Sequence, residues 1–192
     1  MKLPIYIISD NHFLLDKDKL EEERRTKLFK LFQKIKNTGG SLILGGDFFD
    51  FWIEFKFGYP SCYEDILNEL EILHNNNIEI HYVLGNHDYW DFGLFKKRFG
   101  CHVHKKELKF SIDDKNVLVI HGDGLLKHDY LYRIMRAIIR NNVVMAMLRL
   151  IPVNLGCWLA KKISNTKNYD IKFNSELLEY ANKIYLKLNS IL

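Results

Sequence analysis

The sequence predicts an α/β fold, a layered sheet with flanking helices followed by a helical cap. Three observations lead there. Short apolar runs of strand length end in tight polar clusters at Asp10, Asp47, Asn86 and His121, spaced 37, 39 and 35 residues apart. That spacing is about one β-α unit. Charged stretches with apolar residues at helical spacing lie between the runs, and beyond Gly124 the chain becomes basic and amphipathic.

Composition sets the frame. With 192 residues, 47% hydrophobic and 27% charged, the chain fits one soluble globular domain with a real core. The net charge of +4 is concentrated: residues 124–163 carry seven Lys or Arg against Asp129 alone. Such a face suits an anionic partner, a phosphate or a membrane surface. Cys62, Cys101 and Cys157 show no C-x-x-C spacing, so neither a disulfide framework nor a thiolate zinc site is expected, and a reducing cytoplasm fits best. The amino terminus reads as a strand rather than a secretory signal. The most apolar long stretch, Asn141 to Ala160, is interrupted by Arg149 and Pro152, which argues against a membrane span.

Pro4 to Ser9 is a buried-strand run ending in Asp10-Asn11-His12, where carboxylate and imidazole two residues apart point to one side of an extended chain. Residues 18–37 form a helix with Leu20, Leu28, Leu31, Phe32 and Ile35 inward; Glu21-Glu22-Glu23-Arg24-Arg25 is expected on its solvated outer face. Gly39-Gly40 ends it, and Ser41 to Leu44 is the central strand, turning through two glycines to Asp47. The aromatic stretch Phe51 to Pro60 reads equally as a loop over the core or as a wall of the site. Residues 62–74 form a second helix, with Ile66, Leu67, Leu70 and Leu73 on one side. Ile78 to Leu84 is a strand ending in Gly85-Asn86-His87-Asp88.

Phe92 to Phe99 is a short helix. Cys101-His102-Val103-His104 is expected as a surface strand, and His74 and His81 as surface or packing residues. Glu107 to Ile112 and Val117 to Ile120 form a hairpin whose second strand delivers His121-Gly122-Asp123. After Gly124, Leu131, Ile134, Met135, Ile138 and Ile139 sit at helical spacing with arginines between them. The default reading is core helices with arginines at the rim. The sharper one is an amphipathic cap that rests on a bilayer or encloses an acyl chain. His128 is expected at the rim, and Asn174 to Leu192 as one more helix.

Parallel strands would bring Asp10, His12, Asp47, Asn86 and His121 to a common edge. A donor set of oxygen and imidazole nitrogen without thiolate suits manganese, iron, zinc or magnesium. Two ions about 3.5–4 Å apart, sharing Asp47, would clamp a phosphoryl group for in-line attack.

The motifs D-x-H, G-D-x-x-D, G-N-H-D and H-G-D, in this order and spacing, resemble those of the calcineurin-like metallophosphoesterase family. Gly46 to Trp52, Gly85 to Trp90 and His121 to Leu125 most resemble its branch of UDP-2,3-diacylglucosamine pyrophosphohydrolases of lipid A synthesis. The resemblance implies a metallophosphoesterase core over residues 1–123, a cap over 124–168 and a carboxyl-terminal helix over 169–192. It implies two divalent ions, usually manganese, with Asp10 and His12 on the first, Asn86 and His121 on the second and Asp47 bridging. His87 would face the leaving group, with the Asp50 carboxylate fixing its ring; Asp129, Tyr132, Asn165 and Lys167 would meet the substrate head group. The implied partner is a nucleotide-linked glycolipid, at the cytoplasmic face of the inner membrane with peripheral contact to it, and not a nucleic acid.

One feature departs from the pattern. The family closes its site with G-H-x-H near the carboxyl end, and this sequence has none, so the carboxyl-terminal part of the fold is expected to be missing and each ion to keep three protein ligands. Two readings therefore stand beside the lipid-nucleotide hydrolase: a phosphoesterase for a small soluble phosphodiester, and a catalytically silent binding protein of the same fold.

Overall fold

A computed structural model describes residues 1–124 and 130–163. Its central element is a parallel sheet of four strands in sequential order: β1 (Ile5–Ile8), β2 (Ser41–Leu44), β3 (Glu79–Val83) and β4 (His102–His104). Helices α1 (Lys19–Thr38), α2 (Glu64–Asn75) and α3 (Leu94–Phe99) supply the crossovers. Because a parallel sheet is covered on both faces, its central strand is apolar throughout, and every residue of β2 is buried.

The two faces have different covers. Leu42, Leu44, Ile80 and Tyr82 meet the helices, with Phe32, Leu67, Leu70, Phe95 and Phe99 in one apolar core. Ile43 and Val83 point the other way, onto Leu108 of an antiparallel hairpin, β5 (Glu107–Ile112) and β6 (Lys115–Ile120). The hairpin turns at Asp113-Asp114, tighter than the four-residue turn expected, with Asp113 at φ 50°. It is a separate two-stranded sheet, so the fourth polar cluster does not arrive on a parallel strand as expected. The distance from Asn86 to His121 resembles one β-α unit but contains α3, β4 and the hairpin.

Helix α1 starts at Asp18, whose carboxylate accepts the Glu21 amide at 2.9 Å, and ends at Gly39, whose N–H donates to Ile35 O at 2.8 Å. Its buried stripe is Glu21, Arg25, Leu28, Phe32 and Ile35. This corrects the expected outer face: Glu21 is 0% and Arg25 2% exposed, while Leu20, expected inward, is 66% exposed. The stripe keeps its helical period but begins with an ion pair. Burial is tolerated because the polar groups are matched. Arg25 bonds Glu21 Oε1 at 2.9 Å, Asp65 Oδ1 at 2.8 Å and the carbonyls of Cys62 and Leu14 at 2.7 and 2.8 Å.

The aromatic loop after Asp50 is both core and wall. Trp52 is buried in a stack with Phe49 and Tyr59, at 5.0 and 5.8 Å between centroids. Its backbone runs beside the third cluster, with Trp52 N to His87 O and Glu54 N to Trp90 O both at 2.9 Å.

The basic region folds as α4 (Tyr130–Ile139), α5 (Asn142–Arg149) and α6 (Val153–Ile163). Helices α4 and α5 are not core helices: they bury no residue, and Leu131 and Met147 are each 66% exposed, whereas α6 sends Ala160 into the core. The arginines do not all sit at the rim either, because Arg136 and Arg140 reach inward to Asp123. No single described helix is long and apolar enough to cross a membrane, and α5 and α6 meet at 111°. The helices are fastened to the core by Lys56 N to Arg149 O at 2.7 Å, Trp90 Nε1 to Ile139 O at 3.3 Å, and Gly156 packed against the Phe55 ring.

Candidate metal centre

Three of the polar clusters begin where a parallel strand ends, and in the first two the backbone turns left-handed. Asp10, His12 and Asp47 have φ values of 53°, 46° and 48°. Aspartate and histidine are among the residues that tolerate this region, yet three together constitute a local cost that the surrounding structure must hold in place. The first two loops run side by side, with Asp10 N to Gly46 O at 3.0 Å, His12 N to Asp47 O at 2.9 Å and Phe13 N to Phe48 O at 3.0 Å.

Two glycines permit the close approach. A Cβ on Gly85 would lie 2.1 Å from Asp47 Oδ1, and one on Gly46, at φ 100°, would lie 2.6 Å from His121 Nδ1. No side chain fits at either place. Asp88 then staples the loops: fully buried, it accepts the amides of Phe48 at 2.8 Å and Gly85 at 2.7 Å, and the Tyr82 hydroxyl. Burial and the neighbouring Asp47 charge hold its carboxyl above the ordinary range.

The expected ligands converge around Asp47. His121 Nε2 stands 3.2 Å from Asp47 Oδ2 and 3.1 Å from Asn86 Oδ1, and His12 Nε2 is 3.8 Å from Asp47 Oδ2. Asp47 Oδ1 accepts the His87 amide at 2.9 Å. Two triads can each surround a cation: His12, Asp47 and His87, and Asp10, Asp47 and His121, with the ligand atoms of each within 4.8 Å of one another. Asp47 belongs to both. The pairing differs from the one the resemblance implied, since Asp10 lies with His121 rather than with His12.

Asp50 acts differently from expectation. His87 Nδ1 lies 2.6 Å from the Asp50 backbone oxygen and 3.9 Å from its carboxylate, which is 3.6 Å from His12 Nδ1. The carbonyl, an acceptor only, therefore fixes the His87 tautomer.

The electrostatics are those of a site built for positive charge. Burial opposes a charged His121, but the Asp47 hydrogen bond and charge prevail and push it up to about 9. Burial would raise Asp47; bonds from His121 and His87 hold it below the ordinary range instead. His12 is likewise raised against its burial, by Asp50 and Asp47. Protons here do what a cation would do. Carboxylates gathered with imidazoles around one shared oxygen, with buried His121 Nδ1 lacking a hydrogen-bond partner among the described residues, fit divalent metal ions.

Of the expected substrate residues, Tyr132 is placed, its hydroxyl 3.3 Å from Asp123 Oδ2; Asp129, Asn165 and Lys167, like His128 and the helix over 174–192, lie outside the described residues. His102 and His104 lie in β4, in neither triad; His104 Nε2 is 3.1 Å from His81 Nδ1, with His81 buried between the strands. Sequence reasoning assigned no role to Asp88, Asp123, Arg136 or Arg140. The first closes the G-N-H-D motif and the second the H-G-D motif, so a signal existed for both; the arginines carried none beyond their charge.

A sequence profile of the calcineurin-like phosphoesterases matches residues 3–171. Among curated proteins, the chain is similar to the UDP-2,3-diacylglucosamine hydrolase of Porphyromonas gingivalis, 29% identical over 143 residues, covering 71% of this chain and 54% of the relative. It is similar to the proteins of the same name from Stutzerimonas stutzeri, 31% identical over 84% of this chain and 65% of the relative, and Pseudomonas fluorescens, 32% identical over 83% and 62%. The chain thus spans between 54% and 65% of the length of these relatives.

Proposed function

The chain belongs to the calcineurin-like phosphoesterase family, and from that membership we propose that it hydrolyses the pyrophosphate bond of a UDP-linked diacylglucosamine, releasing UMP and 2,3-diacylglucosamine 1-phosphate. The observation that carries this reading is the single Asp47 carboxylate common to two ligand triads. The names of the relatives supply the substrate.

In this reading Asp10, His12, Asp47, Asn86 and His121 hold two divalent ions, proposed as manganese. Bound there, the ions supply Lewis-acid charge to the phosphoryl group under attack. The protein's own contribution is positional. Asp88 fixes the two loops, and the Asp50 carbonyl keeps a proton on His87 Nδ1, so His87 Nε2 is the atom that holds or gives a proton toward the leaving group. The helices after Gly124, proposed as a cap, offer the diacyl chains an apolar surface: Ile134, Ala137, Ile138 and Val144 line an open hollow of about 460 Å³. The exposed apolar residues among lysines and arginines on the same helices support peripheral contact with a membrane at its cytoplasmic face.

A hydrolysis assay with the diacyl substrate and manganese tests the proposal. UMP release by the wild-type chain and none above background by Asp47→Ala is the expected result. Turnover of a simple chromogenic diester with the lipid substrate untouched would favour a soluble phosphodiesterase. Absence of both, with no stoichiometric manganese uptake, would favour the silent binding protein.

A further inference from the structure

Resting on the hydrolase reading, we propose that Arg140 is a specificity-determining residue: its guanidinium, fixed between the helical cap and the metal centre, binds the second phosphoryl group of a two-phosphate substrate. Arg140 follows the last turn of α4 and is built into the loops of the site. Its Nη2 donates to Gly85 O at 3.2 Å and to Asp123 Oδ2 at 3.1 Å. Gly85 immediately precedes Asn86, and Asp123 lies two residues after His121. The guanidinium sits 4.0 Å over the Tyr89 ring, and the neighbouring Trp90 binds Ile139 O at 3.3 Å, so the end of the helix is held from two sides.

The local charge count favours an anion. Asp123 faces two guanidiniums, Arg136 Nη1 at 2.9 Å and Arg140 Nη2 at 3.1 Å. One carboxylate cannot neutralise both, and a positive charge remains at the edge of the centre. The Arg140 side chain is 18% exposed, sheltered enough for its field to be weakly screened yet open to a ligand. A metal pair centred on Asp47 accounts for the phosphoryl group that reacts. The adjoining phosphoryl of a diphosphate ester carries its own negative charge and needs a donor elsewhere, for which a planar, permanently charged fork is suited. A one-phosphate ester has no such group, so Arg140 separates the two substrate classes.

Calorimetric titration of the whole chain in excess MgCl2 with UDP and with UMP tests this for the wild type, Arg140→Met and Arg140→Lys. UDP is expected to bind the wild type at least about tenfold more tightly than UMP, and Arg140→Met to weaken UDP by at least about tenfold while moving UMP by less than about threefold. Arg140→Lys, which keeps the charge but not the planar fork, should restore part of the UDP affinity. Equal losses for both nucleotides, no loss, or a wild type indifferent to the second phosphate would overturn the proposal. Should Arg140→Met fail to fold, a selective loss of UDP binding in Arg140→Lys supports the assignment, and an unselective loss or none overturns it. UDP selectivity that depends on Arg140 in a chain that releases no UMP from the lipid substrate would sink the hydrolase reading and leave the phosphate assignment standing.

Discussion

Asp47 Oδ2 stands 3.2 Å from His121 Nε2, joining a residue after the central parallel strand to one after an antiparallel hairpin strand. Because Asp47 belongs to both triads, Asp47→Ala should abolish metal uptake, whereas Asp10→Ala, which takes a ligand from one triad alone, should lower it only in part. Manganese titration of chelator-treated protein measures the two stoichiometries. In the metal-free chain His121 keeps its proton up to about 9, so a bound ion must displace it. Apparent affinity should therefore climb as pH rises toward 9 and level off beyond it.

Gly85 and Gly93 make a matched pair. Alanine at 85 would place its Cβ 2.1 Å from Asp47 Oδ1, while at 93 nothing lies within 4 Å and the cost is only the backbone φ of 124°. Gly85→Ala should lose metal binding; Gly93→Ala should keep it and lose about 1–2 kcal/mol of stability. Metal titration and urea unfolding of both variants are the check, and intact uptake in Gly85→Ala would show that the close approach is dispensable.

Arg25 is the most consequential charge outside the site. Replacing it with leucine leaves buried Glu21 with only Arg24 and the Leu14 amide and takes the buried donor from Asp65 and the Cys62 and Leu14 carbonyls, and should cost about 3 kcal/mol, the low end for breaking a buried pair. Glu22→Ala and Glu23→Ala, on the exposed side of the same turn, should each change stability by under about 0.5 kcal/mol. Urea midpoints for the three variants decide the matter; a small effect at Arg25 would contradict the matched network.

Asp91 gives a pH signature away from the metal centre. It accepts the amides of Phe95 at 3.1 Å and Gly93 at 3.2 Å, yet burial, aided by Glu54, pushes its carboxyl up to about 6. A raised carboxyl makes the folded state take up a proton before the unfolded state does. Its contribution thus grows as pH falls from about 6 toward 4 and is absent near neutrality, a swing on the order of 2–3 kcal/mol. Asp91→Asn removes that swing. Urea unfolding from pH 4.5 to 7.5 should give a flatter profile for the variant; parallel profiles would rule the effect out.

Much of the fold was legible because local chemistry dictates it. The run Ser41 to Leu44 is apolar throughout, as a strand covered on both faces must be, and Gly45-Gly46 before Asp47 announces the turn. The charge run of α1 was not legible. Period alone placed Leu20 inward, and only the arrival of Asp65 and the carbonyls of Leu14 and Cys62 makes burial of Glu21 and Arg25 tolerable.

What the sequence by itself determined is which residue types stand at the ends of its strands: carboxylates, an amide and imidazoles after apolar runs, with glycine where a Cβ would collide. Those are one-dimensional facts, fixed by backbone sterics and burial. Only the tertiary structure decided who faces whom. His121 reaches Asp47 from a second sheet, His87 leans on the carbonyl of Asp50 rather than its carboxylate, and Arg140 comes back from a helix to Gly85. The reason is that hydrogen bonds and ion pairs act over a few ångströms in space, and sequence separation carries no information about which groups come within that reach until the layers have packed.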